Sequence, residues 1–98
     1  MPVLSAEETR ERLKVLPAWT LVNGEIVREV DLKDFVAAMG FVNQVAGRAE
    51  AAGHHPDIDI RYNKVRLALV SHDAGGLTER DFDLAVTIEA ILATGSGT

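Results

Sequence analysis

Ninety-eight residues, 47% hydrophobic and 26% charged, make one domain's worth of chain and exclude both a multidomain machine and a disordered polymer. Fifteen acidic residues against ten basic ones give a net charge of −5, with no clustered basic face for a nucleic-acid backbone. Cysteine is absent, which excludes disulfides, thiolate metal centres and a cysteine nucleophile.

The start of the chain lacks the basic stretch and apolar run of a signal peptide, and no apolar run approaches the ~20 residues of a membrane span. The expectation is a single cytoplasmic domain over residues 1–98 that does not contact membrane. Ser5-Ala6-Glu7-Glu8 is a capping box that predicts a short helix to about Lys14, stopped by Leu16-Pro17. Residues 19–22 and 25–30 read as strands around Asn23-Gly24, the strongest short hairpin signal. Asp31 then caps the longest helical pattern, to Ala52, with Leu32, Phe35, Val36, Met39, Val42 and Ala46 in one apolar stripe. Phe41 and Val45 fall outside that stripe, so the apolar face is wider than one small sheet needs, which predicts packing on a second subunit. Gly53 ends the helix.

Residues 57–62 alternate as a half-buried strand, a turn follows near Asn63-Lys64, and residues 65–70 form another strand. Asp73-Ala74-Gly75-Gly76 is a loop. Thr78 opens a last helix with Asp81 at the capping-box position and Leu84, Ile88 and Ile91 along its core face. Residues 94–98 read as a frayed tail. The order predicts an α+β domain: a four-stranded, mainly antiparallel sheet with three helices packed on one face.

The three histidines all fall between residues 54 and 72. His54-His55 stands where the long helix passes into the third strand, and His72 follows the fourth. The start of one strand of a hairpin lies beside the end of the other, so the three rings can converge. Two chemistries compete. Adjacent histidines chelate a metal poorly, because neighbours on a strand point to opposite faces. General acid–base catalysis suits imidazoles better, with Glu50 and Asp81 fixing their tautomers. Both carboxylates also have plain structural roles open to them, as a solvated helix residue and a helix-start acceptor. Pro56 biases His55 toward an extended backbone. Phosphate-binding glycine loops are absent, and Ser71-His72-Asp73 are too close in sequence to form a triad.

Glu50-x-x-x-His54-His55-Pro56, Tyr62, Ser71-His72-Asp73 and Gly76-Leu77-Thr78-x-x-Asp81 together resemble the pterin-4a-carbinolamine dehydratases over nearly the whole chain. Asp57-Ile58 stands where members commonly carry Glu-Trp. The resemblance implies a lyase that removes water from a 4a-hydroxytetrahydropterin to give the quinonoid dihydropterin, with no metal and no cofactor. It implies that His54, His55 and His72 are catalytic, with Glu50 and Asp81 supporting them. Pro56, Ser71 and Asp73 join the histidines around the pterin. It further implies recycling of the pterin used by aromatic amino-acid hydroxylases, and a homodimer or homotetramer that does not bind nucleic acid directly. A non-catalytic assembly or transcription-cofactor module on the same fold is the alternative, which retention of all three histidines disfavours. His54→Ala is expected to lower the rate with little loss of folding.

Overall fold

The computed structural model describes residues 2–94, so the expected frayed tail lies, from residue 95 on, outside the described residues. Ser5 Oγ accepts the Glu8 N–H while the Ser5 N–H donates to the Glu8 carboxylate, and this reciprocal cap opens α1 (Ala6–Leu13). β1 (Thr20–Val22) and β2 (Glu25–Asp31) turn on Asn23 and Gly24, whose φ angles of 50° and 81° suit a two-residue hairpin.

α2 (Phe35–Ala52) begins later than the sequence reading placed it. Asp31 stays in the sheet opposite Lys64, and the Leu32 N–H donates to the Asn63 carbonyl at 2.8 Å. The backbone is therefore committed to the sheet through residue 32, and Asp34 caps the helix by accepting the Ala37 N–H. This also corrects the apolar stripe. Leu32 precedes the helix and cannot set its phase; the buried face is Ala38, Phe41, Val42, Val45 and Ala49, while Ala46 is exposed. Phe35 and Val36 stand 50% and 79% exposed.

β3 (Asp57–Arg61), β4 (Lys64–Leu69) and α3 (Glu79–Ala93) complete the fold. The sheet is antiparallel throughout, in the order β1-β2-β4-β3. β3 is therefore an edge strand and is more exposed than its alternating pattern predicted, with Ile58 36% exposed. The β3–β4 turn comes one residue earlier than expected, at Tyr62-Asn63, and Tyr62 takes a φ of 53°. Phe41 and Val45 of α2 and Leu84, Ala85 and Ile88 of α3 bury one apolar cluster with Ile26, Val65, Leu67 and Leu69 of the central strands. At ~25 cal/mol per Å² of apolar area removed from water, this single cluster is the main source of stability.

The strand order has one functional consequence. Ala68 pairs with Asp57 and Leu69 with Ile26, so the end of β4 lies between the starts of β2 and β3. The end of α2 enters β3 at that same corner. Gly53 makes the exit by adopting φ 64°, with its N–H bonded to the Glu50 carbonyl at 3.2 Å. No atom lies within 4 Å of a Cβ built on Gly53, so Gly53→Ala meets no clash and costs only the left-handed backbone, about 1 kcal/mol. Urea unfolding should show that loss as a lower midpoint at unchanged slope.

Candidate active site

Asp81 is fully buried, and both of its oxygens are engaged. Oδ2 accepts the Ser71 hydroxyl and the Thr78 N–H, each at 2.9 Å, and Oδ1 lies 2.5 Å from His54 Nε2. The same carboxylate thus closes the α3 capping box and holds an imidazole, combining two roles that the sequence left as alternatives. Ser71 Oγ also sits 2.8 Å from Thr78 Oγ1, so buried hydroxyls brace the carboxylate from behind. With Asp81 ionised, His54 carries its proton on Nε2 and leaves Nδ1 free to exchange one with a ligand. His54 is itself buried, at 8% exposure. Removing it strands a buried carboxylate oxygen, which corrects the expectation that His54→Ala would leave folding intact.

His55 Nε2 lies 2.7 Å from Glu50 Oε1 on the surface, where the pair orients the ring and contributes little energy. His72 is exposed, at the end of β4. The three imidazoles line one cavity of 240 Å³ together with Gly53, Val70, Asp73 and Arg80. The three rings therefore converge, as the hairpin geometry predicts. Ser71 lies behind His54, and neither Ser71 nor Pro56 is part of the cavity lining. Tyr62 sits at the opposite end of the β3–β4 hairpin, 67% exposed. A larger depression of 560 Å³ lies over the open sheet face among Glu29, Asp59, Arg61 and Arg66, and holds no imidazole.

The profile of the family described as pterin 4 alpha carbinolamine dehydratase matches residues 2–91. The chain belongs to the pterin 4 alpha carbinolamine dehydratase family. Proteins provisionally named pterin-4-alpha-carbinolamine dehydratase are similar along their length. One from Acidobacterium capsulatum is 68% identical, covering 94% of this chain and 100% of its own. One from Chloroflexus aurantiacus is 62% identical, covering 94% and 99%. The crystal structure of a transcriptional coactivator/pterin dehydratase from Brucella melitensis superposes with a TM-score of 0.87 at 37% identity, over 91% of this chain and 97% of that one. A pterin dehydratase-like RuBisCO assembly factor of the alpha-carboxysome shares the fold, with a TM-score of 0.61 at 18% identity over 74% and 84% of the two chains.

Within this pterin dehydratase-family cavity, Arg80 is the residue that sequence reasoning missed. Its Nη2 donates to Asp73 Oδ1 at 2.6 Å, and it lines both the histidine cavity and an adjoining 410 Å³ cavity behind His54. A signal was present. The first turn of a helix disfavours a cation, so an arginine directly after Thr78-Glu79 needs a reason elsewhere. The hydrogen bond from Arg80 holds the Asp73 carboxyl below its ordinary value of 3.8, against a smaller opposing effect of desolvation. A depressed folded-state pKa stabilises at pH values above the unfolded one and is lost as pH falls through the folded one. Asp73→Asn should therefore be less stable than the parent at neutral pH and should converge with it below pH 3.8, as urea unfolding at stepped pH will show.

Proposed function

We propose that the chain dehydrates a 4a-hydroxytetrahydropterin to the quinonoid dihydropterin, with the three imidazoles as its acid–base machinery. The observation that carries this reading is the convergence of His54, His55 and His72 on one cavity, with His54 held against a buried carboxylate. In the reaction the C4a–O bond breaks, the hydroxyl leaves as water after taking a proton, and N5 loses its proton to form the C4a=N5 double bond. No electron leaves the pterin. His54 and His72 carry out the two proton transfers, each contributing roughly 10²–10⁴-fold. His55, oriented by Glu50, holds the ring, and the Arg80–Asp73 pair presents fixed hydrogen-bonding groups along the wall.

Stopped-flow decay of a 4a-hydroxytetrahydropterin tests the proposal directly. Catalysed decay well above the spontaneous rate is expected; decay at the spontaneous rate overturns it. The product is the form that a reductase returns to an aromatic amino-acid hydroxylase, which makes cofactor recycling the role that fits the reaction.

The assembly is part of the same reading. Phe35 and Val36 leave an apolar end on α2, and Gly40 and Gly47 have open space where a Cβ would stand. That surface suits close approach of a second copy, as a homodimer or homotetramer. Light scattering at micromolar concentration should give an oligomer's mass, and Val36→Asp should reduce it.

A further inference from the structure

Glu25 opens β2, Asp57 opens β3 and His72 follows β4, and the sheet order brings all three to one corner of the sheet, where His72 also lines the histidine cavity. Each offers one ligating atom, and the three atoms lie within 4.8 Å of one another. Among the described residues none of these side chains makes a hydrogen bond or ion pair. Arg80, on the wall of the histidine cavity, is engaged by Asp73, and Arg61 and Lys64 lie at the far end of the β3–β4 hairpin. Two carboxylates this close repel unless a positive charge lies between them, and among the described residues no lysine or arginine forms an ion pair with either.

We propose that Glu25, Asp57 and His72 form a site for one divalent transition-metal ion, best matched by Zn²⁺, whose occupancy withdraws His72 from acid–base work. The donor set is one imidazole nitrogen and two carboxylate oxygens, with a fourth position left to water. This suits a borderline ion over Mg²⁺ or Ca²⁺, which favour oxygen-only shells. Metal–ligand bonds of ~2.1 Å space tetrahedral ligands roughly 3.4 Å apart. Rotation of side chains that break no existing bond closes the remaining distance. Among the described residues the ligand atoms that gather within 4.8 Å are those of Glu25, Asp57 and His72, and not those of the three histidines considered from sequence. The metal here is an inhibitor of the reaction and not its cofactor. The inhibitory half of the inference rests on the proposed function; the binding half does not.

Calorimetric titration of tag-free protein with ZnCl₂ tests the binding half. One equivalent should bind to the parent, and Glu25→Gln and Asp57→Asn should each weaken it at least tenfold. Glu29→Gln, on the same strand as Glu25 but outside the cluster, should leave it unchanged. No binding by the parent, or equal binding by Glu25→Gln and Asp57→Asn, overturns the site. Dehydration measured with and without saturating Zn²⁺, each variant against its own metal-free rate, tests the inhibitory half. Turnover should fall in the parent and in Glu29→Gln and persist in Glu25→Gln. Binding without loss of turnover keeps the site and overturns its inhibition through His72. Absence of turnover in the metal-free parent overturns the proposed function, while the titration still decides the metal.

Discussion

Asp81→Ala should cost about 3–5 kcal/mol of stability, because it removes the shared acceptor of three buried hydrogen bonds to a carboxylate. Three donors lose their acceptor at once: His54 Nε2, the Ser71 hydroxyl and the Thr78 N–H. Cap loss at α3 is included in that figure and alone accounts for about 1 kcal/mol. For a domain near 100 residues, each kcal/mol moves the melting midpoint by roughly 4–8 °C, so a fall of about 12–40 °C is expected. Asp81→Asn separates the structural from the chemical role. Its carbonyl can still accept from Ser71 and Thr78, and its amide group then faces His54 Nε2 as a donor. That reverses the His54 tautomer and puts the proton on Nδ1, towards the ligand. Stability should fall by less than about 2 kcal/mol, the scale of losing one charge-assisted hydrogen bond. The dehydration rate should fall far more, on the order of 10²–10⁴-fold, as when a histidine-orienting carboxylate is made an amide in serine hydrolases. Thermal melts and stopped-flow rates on both variants check this. An Asn variant that keeps the parent rate would remove Asp81 from the chemistry and leave it as a cap.

The contrast between Asp81 and Asp31 shows how far the sequence could be read. Both look like helix caps. Asp81 sits three residues after Thr78 at the head of a clear apolar repeat, and the local pattern was enough. Asp31 precedes an equally clear repeat, but its conformation is decided by Lys64 on another strand and by the Leu32–Asn63 hydrogen bond. Those partners lie some thirty residues away, out of reach of any local rule. The error then propagated, since a stripe counted from Leu32 comes out about one residue out of phase and places Phe41 and Val45 off the core. Convergence of the histidines was legible because a hairpin ties His54-His55 to His72 through ordinary antiparallel geometry. Arg80 and Glu25 were not. Arg80 enters the site through a loop that folds Asp73 back onto α3, and Glu25 through β2 pairing with β4 in place of β3. Local patterns recover element types; they do not recover which strands become neighbours.

His54→Ala and His72→Ala should both slow dehydration by roughly 10²–10⁴-fold, yet differ sharply in stability. His72 is exposed and without a hydrogen bond among the described residues, so its loss should move stability by no more than about 0.5 kcal/mol. His54 is buried against Asp81, and its removal leaves both a void and an unpaired carboxylate oxygen. Losing that buried hydrogen bond to a carboxylate together with the packed ring costs several kcal/mol, about 3–5. Rates for the two variants must therefore be compared at a temperature where urea titration shows both fully folded. His54→Gln offers a further check, because its amide can donate to Asp81 Oδ1 but cannot shuttle a proton. It should recover much of the stability and none of the rate. Equal stability losses in His54→Ala and His72→Ala would contradict the buried pair. A parent-like rate in His72→Ala would confine the proton chemistry to the His54–Asp81 side of the cavity, leaving one imidazole to serve both the leaving hydroxyl and N5.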